Sequence, residues 1–376
     1  MIARLIEDQI LERIRKSSKI ILLYGSRQVG KTTLVKNLLA KLPYKTLRIN
    51  ADNREYSEVL SSRNSEKLRR LISGYELVFI DEAQRISDIG INLKIIHDEI
   101  PEVKIVATGS SSFELANIVR EPLTGRTWTF TLYPISLGEL SAVQNPFELD
   151  LRLEELMLFG MYPEVFSYPG ASDKILFLKE LSGSYLYKDI LELGDVRHSR
   201  KVYDLVRLLA YQIGSTVSLN ELGRQLEMSK ETVARYIDLL ENAFIVFRVS
   251  GYSRNLRKEV VKMDKIYFYD LGVRNAVIDN FNTFALRNDI GPMWENFLIA
   301  ERIKYTAYRN MFANRYFWRT YTGAELDYLE ESGGQLRGYE FKWGNKTANP
   351  PQTWLETYPE ASFQCINRDN YLEFVL

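Results

Sequence analysis

Buried-strand runs alternate with helical stripes over the first third of the chain. Ile20-Ile21-Leu22-Leu23-Tyr24, Leu77-Val78-Phe79-Ile80 and Val103-Lys104-Ile105-Val106-Ala107-Thr108 are short and apolar, as strands covered by helices on both faces are. Thr33 to Ala40 continues the first run with an apolar stripe of helical period. This alternation predicts a parallel sheet layered with helices as far as about Tyr133-Pro134-Ile135. From Leu137 to about His198 the period is helical, broken at Gly160-Met161-Tyr162-Pro163 and closing on Tyr185-Leu186-Tyr187-Lys188-Asp189-Ile190. That pattern predicts a helical lid or connector.

Residues 201–270 change rhythm again. Leu205 to Ile213 and Ser218 to Leu226 read as two helices, Met228-Ser229 as a turn, and Ser229 as the N-cap of a third helix from Lys230 to Leu240. Val233, Tyr236, Ile237 and Leu240 take the core positions of that helix, which leaves Lys230, Glu231 and Arg235 outward. Strands are expected at Phe244 to Ser250 and Lys265 to Tyr269, with Tyr252, Arg254, Arg257 and Lys258 in the loop between them. The order is that of a winged helix, whose third helix and basic loop are candidate DNA contacts. Beyond it, a helix over Met293 to Tyr305 precedes two strands joined at Gly333-Gly334.

The chemistry begins at Gly25-Ser26-Arg27-Gln28-Val29-Gly30-Lys31-Thr32, followed by Thr33, between a strand and a helix. In a G-x-x-x-x-G-K-T loop the glycines let backbone N–H groups approach phosphates. Lys31 reaches the β and γ oxygens, and the Thr32 hydroxyl helps hold Mg²⁺. ATP and Mg²⁺ are the implied cofactors. A second half of the site stands at Leu77-Val78-Phe79-Ile80-Asp81-Glu82: Asp81 at a strand end suits the Mg²⁺ shell, and Glu82 suits polarising the attacking water. Gly109-Ser110-Ser111-Ser112 offers small polar groups for a γ-phosphate sensor. Arg126, with Arg120 as its rival, offers a guanidinium to the phosphate in cis or from a neighbouring subunit.

A second constellation lies near the C-terminus. Strand alternation places Glu340 and Lys342 on one face and Tyr339, Phe341 and Trp343 on the other. A two-residue turn at Gly333-Gly334 pairs Asp327 directly with Glu340, and two opposed carboxylates call for a divalent cation or water between them. Mg²⁺ held there would activate water, with Lys342 at the nucleophile or the developing charge and Glu295 as a further ligand from the helix.

Composition trims the alternatives. The 376 residues carry 49 basic and 49 acidic side chains, so a nucleic-acid contact has to come from local patches and not from net charge. One cysteine, Cys365, and two distant histidines, His97 and His198, exclude a disulfide framework and a Cys/His zinc site within one chain. No apolar run approaches the length that spans a bilayer, and the chain reads as cytoplasmic, without a membrane partner.

With the phosphate loop, Ile80-Asp81-Glu82, Gly109-Ser110-Ser111, Leu123 to Arg126, Tyr162-Pro163-Glu164 and the Glu340-Phe341-Lys342 strand in view, nearly the whole chain resembles a family. It is that of the bacterial and archaeal AAA-type ATPases carrying a C-terminal restriction-endonuclease-like domain of PD-(D/E)XK type. The resemblance implies an α/β chain in four parts: a P-loop AAA-like parallel-sheet domain (1–136), a helical lid (137–200), a winged helix-turn-helix (201–275) and an α/β nuclease-like domain (276–376). The reading that follows is an ATP-hydrolysing protein acting with DNA, with a homo-oligomer or a protein partner as further expectations. The alternative is a regulatory ATPase whose C-terminal modules bind proteins without cleavage. A metabolic P-loop kinase leaves the winged helix and the Glu-x-Lys strand without a purpose.

Overall fold

The computed structural model describes residues 2–109, 123–185, 199–253 and 263–376. Helix α1 (Glu7–Lys16) leads into strand β1 (Ile20–Tyr24), and α2 (Lys31–Ala40) follows the phosphate loop. Strand β2 (Thr46–Asn50), helices α3 (Arg54–Leu60) and α4 (Ser65–Ile72), β3 (Leu77–Asp81), α5 (Ile89–Glu99), β4 (Lys104–Gly109) and β5 (Thr127–Thr131) complete the first unit. Its five strands are all parallel in the order β2-β3-β4-β1-β5. β1 and β3 are covered by apolar clusters from both sides, which explains their unbroken apolar runs.

The connector comprises a short turn of helix at Leu137–Leu140, closed by a capping box between Ser136 and Glu139, then α6 (Pro146–Phe159) and α7 (Ala171–Glu180). Next come α8 (Ser199–Tyr211), β6 (Thr216–Val217), α9 (Leu219–Leu226), α10 (Lys230–Asn242), β7 (Val246–Gly251) and β8 (Asp264–Phe268). The side chain of Ser229 accepts from the Thr232 N–H, the expected cap of α10, and Val233, Tyr236, Ile237 and Leu240 are buried. Strand β7 begins later than the pattern predicts because Phe244 takes a left-handed backbone, φ 57°, at the turn out of α10. The sensor serines 110–112, Arg120, residues 186–190, and Arg254, Arg257 and Lys258 lie outside the described residues.

Helix α11 (Leu271–Val277) is followed by the long α12 (Ile290–Tyr308), β9 (Asn314–Arg319), β10 (Glu325–Ser332), β11 (Gln335–Phe341), β12 (Ser362–Ile366) and α13 (Tyr371–Val375). A single mixed sheet, β12-β11-β10-β9-β7-β8-β6, runs through both C-terminal segments, joined where β7 pairs in parallel with β9. Gly333 and Gly334 both have positive φ, 59° and 78°, as a two-residue hairpin turn requires. The resulting register opposes Tyr328 to Tyr339, which sets Asp327 across from Glu340 as the spacing predicts. α12 is buried all round because it lies between this sheet and the connector, and that is why its sequence shows no polar face. Among the described residues no helix is long and apolar enough to cross a membrane.

Candidate functional site

The strand-loop-helix from β1 to α2 delivers every phosphate-loop group to one place. Gly25 sits at φ 150°, and a Cβ there would lie 2.2 Å from the Leu132 carbonyl oxygen, so the loop can leave β1 in this direction only as glycine. Gly30 (φ 97°) and Gln28 (φ 58°) are left-handed as well, turning the loop back onto the N-terminus of α2. Lys31 is buried, and its ammonium donates to the carbonyls of Gly25 (2.7 Å) and Ser26 (2.9 Å), drawn across the loop it serves.

Thr32 at the first turn of α2 donates its hydroxyl to Asp81 Oδ2 at 2.9 Å. Two motifs separated by forty-nine residues thus meet, with the two oxygens a Mg²⁺ shell uses side by side. The donor set fits the ion: one hydroxyl and one carboxylate, both hard oxygens. The sequence reading missed Thr108, at the end of β4 between β1 and β3; its hydroxyl donates to Asp81 Oδ1 at 2.5 Å and accepts from the Glu82 N–H at 3.3 Å. Glu82 itself is held at φ 56°, a costly backbone for a non-glycine residue, and Gln84 Nε2 donates to its carboxylate at 2.6 Å. The pair Asp81 and Glu82 therefore points out of the sheet end in a fixed disposition.

Groups from outside the core close over the loop. Arg4 ties three segments together, donating to the Val29 carbonyl (2.9 Å), to the Tyr133 carbonyl (2.5 Å) and to Glu139 Oε1 (2.9 Å). Tyr162, from the break in the connector, donates to Ser26 Oγ at 2.9 Å. Between these straps lies a cavity of about 920 Å³ lined by Ile2, Arg4, Gln28, Gly30, Asn37 and Pro163 among others. Gln28 also carries a buried Oε1 with no hydrogen-bond partner among the described residues.

Arg126 stands apart from this assembly. Its carbonyl accepts from the Ile20 N–H, at the end of β1 remote from the phosphate loop. Five strand residues at about 3.3 Å each, roughly 16 Å, separate the two. The guanidinium instead grips Asp98 through Nε (2.8 Å) and Nη2 (3.0 Å), and this contact, with His97, holds the Asp98 carboxyl down at about 2. The expectation that Arg126 meets the phosphate in cis is thus corrected by topology: it precedes a strand of a parallel sheet, and phosphates bind where the strands end.

The C-terminal constellation does assemble, with additional members. Glu295 on α12, Asp327 on β10 and Glu340 on β11 converge on one end of the mixed sheet. Asp327 Oδ2 accepts from the Phe341 N–H at 2.8 Å, and Lys342 donates to Glu340 at 2.6 Å. Burial, Glu295 and Glu340 together push the Asp327 carboxyl well above the usual carboxylate range. The new members are Lys265 and Tyr267 from β8 and Glu325 from β10. The Lys265 ammonium reaches Glu295 Oε1 at 3.0 Å and Glu325 Oε1 at 2.6 Å, and the Tyr267 hydroxyl donates to Glu295 at 2.5 Å. Burial opposes the Lys265 charge, but Glu295, Asp327 and Glu325 outweigh it and hold the amine above its ordinary range.

The metal set of Glu295, Asp327 and Glu340 is therefore not formed. Among the described residues no group of three acidic, histidine or cysteine side chains is placed to hold a metal ion. The physical reason is that Glu295 is already taken up by an ammonium and a phenol. Lysine at a buried strand position was the available signal, since a long charged side chain is rarely fully buried without a partner.

Comparisons with known proteins match three segments of the chain. Residues 17–141 match the family described as "AAA domain". The chain carries an AAA domain. Residues 150–283 and 290–366 match two further families, described as "Domain of unknown function (DUF8612)" and "Domain of unknown function (DUF4143)". Proteins of Mycobacterium tuberculosis and Mycobacterium bovis, each described as uncharacterized, are 28% identical over 343 residues, covering 90% of this chain and 73% of theirs. A Methanocaldococcus jannaschii protein, likewise described as uncharacterized, is 23% identical over 305 residues, covering 76% of this chain and 66% of its own. The Walker-type ATPase of Pyrococcus abyssi shares the fold, with a TM-score of 0.50 at 17% identity, covering 74% of this chain and 96% of that one. An AAA domain implies P-loop ATPase chemistry, and the Thr32–Asp81 contact lies within the matched residues.

Proposed function

We propose that the protein is an ATP-hydrolysing switch that acts on DNA, with Mg²⁺·ATP at the phosphate loop controlling the helix-turn-helix unit and the restriction-endonuclease-like C-terminal unit. The observation that carries the ATPase half is the meeting of Thr32, Asp81 and Thr108 beside Lys31. In this reading Lys31 leaves the Gly25 and Ser26 carbonyls to meet the β and γ oxygens. Thr32 and Asp81 would hold Mg²⁺, which would supply neutralising charge to the phosphates, and Glu82 would take the proton of the attacking water. The backbone N–H groups from Ser26 to Thr33 line the phosphates, and the base and sugar enter the cavity beside Gln28, whose buried oxygen suits an exocyclic amine. Lys31→Ala is expected to abolish ATP turnover while leaving the circular-dichroism spectrum intact; retained turnover would remove the assignment.

The DNA half rests on α10, which presents Lys230, Glu231 and Arg235 to solvent, and on Arg254, Arg257 and Lys258, which follow β7 in the sequence and lie outside the described residues. If these groups contact phosphates, DNA affinity falls steeply as salt rises, because counterions are released. One observation favours the second reading, a regulatory ATPase with a protein partner. The outward face of α10 carries as many acids as bases, and Asp238 there is paired with Arg248. Binding insensitive to salt would move the assignment to that reading. Arg126 retains a place in either only across a subunit boundary in a homo-oligomer.

The route between the ends is α12. Near its C-terminal end Lys304 donates to the Ile135 carbonyl (3.0 Å), Glu301 accepts from the Leu137 N–H (2.6 Å), and the Tyr308 hydroxyl accepts from the Tyr133 N–H (3.1 Å). Toward its N-terminal end the same helix holds Glu295 in the carboxylate cluster. The carbonyl of Tyr133 is also gripped by Arg4, which holds the phosphate loop at Val29. A shift of the loop on nucleotide binding thus has a rigid element to push on.

A further inference from the structure

The C-terminal cluster contains four carboxylates, Glu295, Glu325, Asp327 and Glu340, and two ammonium groups that face them, Lys265 and Lys342. They differ in origin and in freedom. Lys342 lies one residue past the end of β11, two residues from Glu340, and is partly exposed, so it can turn to solvent or substrate without disturbing the fold. Lys265 is buried to 1% exposure, comes from β8, and bridges α12 to β10 by holding Glu295 and Glu325 at once. Its ammonium nitrogen lies over the Phe317 ring, 5.3 Å from the ring centre, a further contact that holds it in place.

We propose that Lys265 is an internal counter-ion that competes with divalent metal for these carboxylates. A metal at Asp327 and Glu340 would sit among Glu295 and Glu325, both engaged by Lys265. Two cations in one desolvated pocket repel, and the ammonium cannot leave without β8 moving. β8 is an inner strand of the sheet, paired with β7 and β6, so the ammonium is held in place by the fold itself. With Lys265 in place the cluster is charge-compensated and metal-poor. This holds whether or not DNA is the partner, since it rests on the geometry of the cluster alone.

The test is Mn²⁺ binding by electron paramagnetic resonance, on full-length protein without nucleotide and with Asp81→Asn throughout to remove the ATPase metal site. Lys265→Met is expected to bind Mn²⁺ at least tenfold more tightly than the Lys265 protein, and Asp327→Asn in the same chain is expected to abolish the gain. Lys265→Met strands a buried carboxylate and can fail to fold. Lys265→Met with Glu295→Gln removes the ammonium together with the more buried of its two carboxylate partners, and it is expected to show the same gain together with a Mn²⁺-dependent rise in melting temperature absent from the Lys265 protein. Equal affinity with and without Lys265, no binding in any of these proteins, or a gain that survives Asp327→Asn would each overturn the proposal.

Discussion

Side chains here do their work through what already occupies them. Lys31 and Thr32 are pre-engaged by loop carbonyls and by Asp81, so in the proposed reading nucleotide and Mg²⁺ would exchange one set of partners for another. Arg126 is engaged too, but at the wrong end of the sheet. Arg126→Ala is accordingly expected to leave the turnover of the isolated subunit within about twofold, as read by steady-state phosphate release. Its effect belongs to acid stability. Asp98 has a folded pKa of about 2, below its value in an unfolded chain, so its stabilisation is present above about pH 4 and lost as pH falls through 2. Arg126→Ala should therefore lower stability slightly at neutral pH and make the unfolding midpoint less dependent on pH between 4 and 2, with a small effect because the pair is exposed.

Among elements, the break at Gly160-Met161-Tyr162-Pro163 matters most. Gly160 takes φ 70° and ψ −166°, a region open to glycine alone, and a Cβ there would lie 2.0 Å from Asp270 Oδ1. Asp270 caps α11 through Val273 and accepts from the Met161 N–H at 2.6 Å, so one carboxylate stitches the connector to the C-terminal half. Gly160→Ala is expected to cost about 3 kcal/mol, measured as a shift of the urea midpoint at unchanged slope. Tyr162→Phe, which removes the bond to Ser26, is expected to cost about 1 kcal/mol of stability and to weaken nucleotide binding.

The same segment shows what a sequence can and cannot disclose. Its Gly and Pro announced an interruption, and local rules also placed α2, α10, the glycine hairpin and the Asp327–Glu340 opposition, because each depends on neighbours close along the chain. Tyr162 on Ser26, Thr108 on Asp81 and Lys265 on Glu295 depend on how distant segments pack, and no spacing encodes them. The C-terminal metal set was misjudged for that reason: the pattern lists the carboxylates but not the lysine that reaches them from another strand.

At the scale of the molecule, the phosphate loop and the carboxylate cluster are joined by short steps through rigid parts, from Val29 to Arg4, to Tyr133 and along α12 to Glu295. Such a path gives each site leverage on the other, and binding linkage makes the effect reciprocal: if ATP changes affinity for DNA, DNA changes affinity for ATP by the same factor. The most direct measurement is fluorescence-anisotropy binding of labelled duplex DNA with Mg²⁺ and a non-hydrolysable ATP analogue, with and without the analogue, at low and at physiological salt. The account predicts a salt-steep affinity that the analogue shifts by about fivefold or more, with no shift in Lys31→Ala. A DNA affinity identical in all nucleotide states, or equally shifted in Lys31→Ala, would contradict it.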